Sequence, residues 1–398
     1  MTPERALQMV LERAQSRGWA GHDPYDGLLS PLGRLAASFG AGPRIFITQA
    51  TLRSATFRRL TCPPESVNPK GLSLFLGAIA RGGAVLGQDV VKPAVQELTT
   101  LLDSTAIRRD GWVAWGYPFP WQSRFFYAPI GTPNAVVTAT AGWNLLNWAE
   151  HTGDAGAREL AFGAARFLSF GLNHTPIGEA ASALSYTPND RAHIVNVSML
   201  GARLLARAAP LAGTDGERMS GQARRLLRFT LDSQRDDGAW TYAVEKRGGW
   251  IDSFHTGFIL EGLLDMRAFG YSVPEAAVSR GFTFYRGFFD EGGGGRIWAR
   301  RNAPYDAHSA AQGIITYARL AEAGVTDDRA SAEARDRALR IARWSLARLW
   351  LPRKGYFAYR ITRGKTDEQE YTRWVQAWMA LGMSAAIAME RTETLFAR

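Results

Sequence analysis

The chain has 398 residues, of which 46% are hydrophobic and 21% charged, a balance that supplies a large core and excludes a disordered or fibrous polymer. The net charge of +10 comes mostly from arginine, but no compact basic tract with interleaved aromatics occurs, so we expect no nucleic-acid partner. A single cysteine, Cys62, excludes an internal disulfide and a cysteine-built metal site.

The opening residues, Met1 to Arg13, follow an amphipathic helical pattern and not that of a signal peptide. No apolar run reaches spanning length. The expectation is a cytoplasmic protein without a transmembrane segment. Helical patterns fall near 4–16, 30–40, 48–60, 69–82 and 91–104. From about residue 110 the chain repeats with a period of roughly 50 to 65 residues. Each unit has an amphipathic helix, a short glycine-aromatic extended piece, a loop, and a helix that is apolar nearly all round.

The extended pieces are Asp110-Gly111-Trp112-Val113-Ala114-Trp115, Gly238-Ala239-Trp240-Thr241-Tyr242, Arg296-Ile297-Trp298-Ala299-Arg300 and Gly355-Tyr356-Phe357-Ala358-Tyr359. Glycine supplies a turn, and alternating aromatics suit a strand with one buried face. The apolar helices start near Pro133 and after Asp190, Asp252, Asp306 and Tyr371. Residues 155–170, 217–233, 274–289 and 330–349 carry clear polar stripes instead. Helices buried on all sides form an inner layer, and striped helices wrap around it. The predicted fold is all-α, an α/α barrel or toroid of about six helical hairpins, with short strand-like aromatic segments at one rim. One such domain spans residues 1–398. An open helical solenoid is the alternative, disfavoured by the irregular repeat length.

Inner helices of such a barrel begin at a common rim, so residues in their first turns converge there. The same types recur at that place: Asp190 with His193, Asp252 with His255, and Asp306 with His308. Aspartate caps helix N-termini by accepting from free backbone N–H groups. Capping explains the aspartates but not the histidines beside them, and these six are the candidate catalytic residues. The aromatic loop over 115–127 offers Trp115, Trp121 and Tyr127 as stacking planes and Arg124 as a cation, although it also reads as a packed plug. Tyr186, Tyr305, Arg373 and Trp374 complete the predicted substrate-binding set.

This set suits general acid–base chemistry on a glycan, with arginine steering an acidic group. No metal is expected, because the histidines lie one per helix without the short spacings of zinc motifs. No cofactor is expected either. Gly292 to Gly295 precede no Lys-Ser or Lys-Thr, and no Gly-x-Ser-x-Gly elbow occurs.

Two resemblances add to this. Gln234-Arg235-Asp236-Asp237-Gly238-Ala239-Trp240 resembles the Gln-x-x-x-Gly-x-Trp motif of squalene cyclases and prenyltransferase repeats, where it ties an outer helix to the next turn. The acidic Asp-x-Asp-Asp run that a cyclase needs does not occur in this chain. Trp115 to Arg124, Ser185-Tyr186-Thr187-Pro188 and Trp250 to Phe258 resemble the VpsJ-like bacterial family found with exopolysaccharide-biosynthesis genes. That resemblance implies an oligosaccharide or polysaccharide-precursor partner, acidic or neutral. It implies a role near polysaccharide assembly but no particular reaction; the candidate residues themselves suit an enzyme acting by hydrolysis, β-elimination or epimerisation. A non-catalytic glycan-binding or scaffold component and a terpenoid cyclase-like enzyme are the alternative readings.

Overall fold

The computed structural model describes residues 1–300, 302–323 and 328–391. Its helices are, in chain order, α1 (Pro3–Ser16), α2 (Pro31–Ala37), α3 (Ala41–Arg53), α4 (Ala55–Thr61), α5 (Pro69–Gly82), α6 (Gln88–Ser104), α7 (Ala135–Thr152), α8 (Ala155–Arg166), α9 (Val195–Ala208), α10 (Gly216–Asp232), α11 (Ser253–Ala268), α12 (Glu275–Tyr285), α13 (Ala307–Glu322), α14 (Asp328–Arg348) and α15 (Trp378–Arg391). α5, α7, α9, α11, α13 and α15 pack in that order, each on the next, and α15 returns to α5. The fold is therefore an all-α, closed α/α barrel.

The outer helices α6, α8, α10, α12 and α14 each lie against the inner helix that precedes them, while α1 packs on α15. The first helix thus completes the hairpin of the last, so the barrel closes through its chain ends. Periodicity separates the layers. In α10 the buried residues are Gly216, Met219, Ala223, Leu226, Leu227, Phe229 and Thr230, close to a single stripe. In α7 burial runs from Ala135 through Trp143 with only Thr140 interrupting it. Close inner packing needs small residues: a Cβ on Gly262 of α11 would sit 2.2 Å from Met199 Cγ of α9.

Long segments enter the inner helices at one rim. The longest carries α2, α3 and α4, an arm between α1 and α5. The next carries a hairpin pairing Ile107–Arg109 with Trp112–Ala114, then a second pairing Trp121–Gln122 with Tyr127–Ala128. Of the four extended pieces expected from sequence, only two form ladders: Trp112–Ala114, and Tyr356–Phe357 against Trp350–Leu351. Among the described residues, 238–242 form no ladder, and 296–300 make only a single bridge, Arg296 to Tyr305. A hairpin at His174–Ile177 and Ala181–Leu184 carries no aromatic pattern and was not expected.

Towards the far ends of the inner helices the barrel is filled by charge. Arg203 Nη2 lies 2.6 Å from Asp265, which also meets Arg319 Nε at 2.9 Å. Glu261 accepts from Thr316 at 2.9 Å and from Gln312. The Arg203 guanidinium rests 3.8 Å over the Trp143 ring. This polar plug closes the end opposite the rim.

Candidate active site

Asp252 caps α11 with one carboxylate oxygen and orients a histidine with the other. Its Oδ1 accepts from the His255 backbone N–H at 2.9 Å, and its Oδ2 lies 2.7 Å from His255 Nδ1. Trp250 Nε1 donates to the same Oδ2 at 3.2 Å. A carboxylate has no proton to donate, so Nδ1 carries the proton of this contact, and in the neutral imidazole Nε2 is the acceptor. Asp252 is buried, whereas the His255 side chain is 23% exposed at the mouth.

His255 stands at the end of a stack. Its ring is 4.7 Å from Tyr242, Tyr242 stacks on Trp250 at 4.3 Å, and the Arg124 guanidinium lies 4.8 Å over Trp250. Arg124 also donates to the Arg247 carbonyl. On its other side His255 meets Phe254 at 4.6 Å. Phe254 leads to the second histidine: its ring is parallel to His308 at 4.7 Å, and Trp378 covers the opposite face of His308 at 4.6 Å. Trp374 presents its edge to His308 at 4.6 Å. Neither His308 nitrogen has a hydrogen-bond partner among the described residues. Burial, and then the nearby Lys70 and Arg373 charges, hold His308 well below the usual imidazole pKa.

Asp306 does not hold His308. It caps α13 by accepting from Ser309 N–H and faces Arg360 at 3.3 Å. The offset explains the difference. Asp252 and His255 are three apart, which returns the histidine to the cap's face. Asp306 and His308 are two apart, which turns the ring away. Burial raises the Asp306 pKa, with Arg360 opposing it.

Two groups that sequence reasoning missed lie under this mouth. Lys70 sits in the first turn of α5 behind the Asn68 cap, fully enclosed, with Nζ 5.3 Å from the Trp378 ring and 5.5 Å from Phe258. Burial and then Arg373 push its pKa well below the ordinary lysine value. Asp23, ahead of the arm, takes both Nε and Nη2 of Arg373, the latter at 2.8 Å. A six-residue widened turn, Thr372–Ala377, opens α15. It brings Arg373 4.8 Å over Trp374, and such turns often mark working sites. The available signal was a capped Asn68-Pro69-Lys70 start followed by no other charge until Arg81.

Several predicted residues lie elsewhere. Asp190 does not cap α9, whose start at Val195 has no side-chain cap. It binds the Tyr186, Thr187 and Ala192 N–H groups of its own loop. His193 precedes the helix, with its backbone N–H on Glu245, and no contact among the described residues joins it to His255 or His308. Trp115 is a core residue: it is fully buried, and its indole N–H donates to the Leu102 carbonyl of α6. Tyr305 faces the outer layer, bound to Asp290 and packed on Trp344 of α14. Arg373 is already matched by Asp23, so it is not a free anion clamp. Trp121 and Tyr186 pack together at 4.9 Å, and Tyr186 shares a 2.9 Å hydrogen bond with Tyr117. Tyr127 lies under Arg44 of the arm at 3.8 Å. The plug reading of that loop accounts for these three.

A groove of about 850 Å³ between the ends of α9, α10 and α11 is lined by Arg207, Arg224, Arg228, Phe269 and Tyr271. It contains none of these residues and no imidazole. Among the described residues, no group of three potential metal ligands comes together.

No protein-family model matches the sequence, and no curated protein matches it. Solved structures do resemble it in fold. The chain is similar to an unsaturated glucuronyl hydrolase specific for heparin, at 10% identity over 99% of this chain and 98% of that one, with a TM-score of 0.63. It is similar to the GH76 α-mannanase of Bacteroides thetaiotaomicron at 13% identity, covering 82% and 87%, with a TM-score of 0.61. Cellobiose 2-epimerase from Bacillus thermoamylovorans gives 10% identity, 81% and 88%, and the same score. At these identities the likeness is one of fold: this chain has the α/α-barrel architecture of those proteins.

Proposed function

We propose that the protein is a carbohydrate-active enzyme that moves a proton at carbon on an oligosaccharide, by epimerisation or β-elimination. The Asp252–His255 pair carries this reading. A histidine held by a buried carboxylate, with Nε2 free at the mouth, is a general base built for one task. Lys70 sets an amine beneath the mouth, a hydrogen-bond donor for the enolate-like oxygen that develops when a proton leaves a carbon beside a carbonyl. Arg124, exposed over Trp250 beside His255, offers a cation for an acidic sugar.

Hydrolysis is the second reading, since two of the three structural neighbours named above are described as a mannanase and a glucuronyl hydrolase. It wants two available carboxylates roughly 5 to 10 Å apart. Asp23, Asp252 and Asp306 are each engaged, by Arg373, His255 and Arg360, so proton transfer at carbon fits better. The polar rim does not suit an isoprenoid-cyclising cavity. The likeness to the exopolysaccharide family makes a bacterial polysaccharide precursor the first substrate to try.

The test is turnover of reducing and uronate-containing oligosaccharides in deuterated water. Solvent deuterium at the sugar carbon, or a new double bond, is the expected result. A new reducing end with neither deuterium at carbon nor a double bond would show a hydrolase instead. His255→Ala should abolish turnover, by at least about a hundredfold, while binding is retained. Loss of binding with no turnover in the parent protein would mark a binding module.

A further inference from the structure

Residues 27–64, which include α2, α3 and α4, contain five arginines and no aspartate, glutamate or lysine. This arm thus holds half of the chain's net charge of +10. Its three helices pack on one another around Leu28, Ala36 and Ile47, with Phe57 and Tyr127 against them. So small a core leaves the other apolar side chains outside. Leu35 is 59% exposed, Phe39 68%, Phe46 64% and Leu60 79%, with Leu32 and Ile45 near half. Leu32 and Leu35 lie three apart on α2, and Phe39 follows in the turn just past its end. Elsewhere the exposed large hydrophobics, such as Ile130, Leu211 and Val244, are far apart along the chain. Single ones are ordinary, but a cluster marks an interaction surface.

The arginines divide in two. Arg58 pairs with buried Asp26 at 2.7 Å, and Arg44 binds the Ala37 carbonyl and covers Tyr127. Arg34, Arg53 and Arg59 are exposed and make no ion pair among the described residues. Phenylalanine and leucine flanked by unpaired arginine match a lipid headgroup boundary. No helix among the described residues is long and apolar enough to cross a membrane, so contact would be at the surface. A second copy of the same face would set these arginines against each other, with no acidic residue in the segment to answer them.

We propose that the arm is a docking surface for an anionic phospholipid bilayer. Phe39, Phe46 and Leu60 enter the boundary between headgroup and acyl chain, and Arg34, Arg53 and Arg59 pair with lipid phosphates. The arm's inner side meets the rim through Arg44 on Tyr127 and Arg58 5.0 Å over Tyr371, so docking brings the barrel mouth to the lipid surface. This inference stands apart from the reaction proposed at His255.

Flotation of the full chain with vesicles tests it, using phosphatidylcholine alone and phosphatidylcholine mixed with phosphatidylglycerol. The protein should float with the anionic vesicles only, and less as salt rises. The double variant F39S/F46S and the triple variant R34Q/R53Q/R59Q should each lower partitioning by roughly tenfold or more, with unchanged melting temperature. The proposal is overturned if the parent chain does not float, or if both variants float as it does. It is also overturned if vesicles are ignored while a concentration-dependent dimer forms and F39S/F46S removes it.

Discussion

At the scale of single residues, one carboxylate does two jobs and a neighbouring lysine does none for stability. Asp252→Asn keeps the cap, since asparagine also accepts from a helix N-terminus. It loses the orienting charge on His255, so turnover should fall about a hundredfold or more with little change in melting temperature. Lys70 is enclosed among Phe258 and Trp378 with its pKa pushed down by burial. Such a group costs stability at every pH below the ordinary lysine value, because the unfolded chain keeps its ammonium solvated. Lys70→Met should therefore stabilise the fold by about 1–3 kcal/mol in denaturant titrations while abolishing turnover. A destabilised variant would make Lys70 a structural residue. His308 supplies the pH dependence. Its folded pKa lies below the unfolded value near 6.5, so its share of stability is complete above that pH. It is lost as pH falls from about 6.5 toward the folded pKa, since only the unfolded chain takes up the proton there. His308→Leu should flatten the loss of stability between pH 6.5 and 5, by up to about 1.4 kcal/mol per unit. Thermal unfolding across that range measures it.

At the scale of elements, the motif at 234–240 shows how a repeat is fastened. Gln234 Nε2 donates to the Gly238 carbonyl at 3.1 Å and to the Ala277 carbonyl of α12 at 2.9 Å. Trp240 drives its indole beneath α10 and donates to the Thr230 carbonyl at 2.9 Å. The resemblance to cyclase repeats implied the tie from an outer helix to the next turn, which is the Gln234–Gly238 bond; the reach to α12 was not part of it. Gly238 makes the turn at φ 88°, and a Cβ there would lie 2.3 Å from the Arg280 carbonyl oxygen. Gly238→Ala should cost about 2 kcal/mol or more, as strain and clash add, measured by urea unfolding. Helix starts were legible where an aspartate cap immediately preceded the helix, as Asp252 and Asp306 do, but the Ser54 cap between α3 and α4 was not, and the two run together in one pattern over 48–60. Asp190 misled because the same residue type also ties loops, and here it satisfies three N–H groups of its own turn. Single sequence positions do not reveal which N–H groups an aspartate will meet.

At the scale of the whole molecule, the barrel has two unlike ends. The rim gathers aromatics, two histidines and Lys70, while the far end is sealed by Arg203, Glu261, Asp265 and Arg319. Burial raises the Glu261 pKa, with Arg203 the main opposing influence. Replacing Arg203 leaves two buried carboxylates with less countercharge. Arg203→Met should destabilise by about 3–5 kcal/mol, read as a shift in denaturation midpoint at pH 7. Because Arg203, Glu261 and Arg319 come from three different inner helices, the loss should loosen the ring as a unit.

The layering is legible in the residues alone, since helices buried all round and helices buried in a stripe differ in periodicity. The residues alone also show which aspartates stand before α11 and α13, and they place His255 beside its partner, because those are contacts within one turn. What meets across the mouth is set by how the ring closes. Lys70, Asp23, His308 and Arg373 come from segments separated by up to 350 positions, and no local pattern encodes such pairs. Tertiary packing also turns Trp115 and Tyr305 away from the mouth, because the facing of each is set by the outer helix it packs against. The closure of α15 on α5 is of the same kind. Each hairpin can be read from its own residues, but the ring exists only when the last inner helix finds the first.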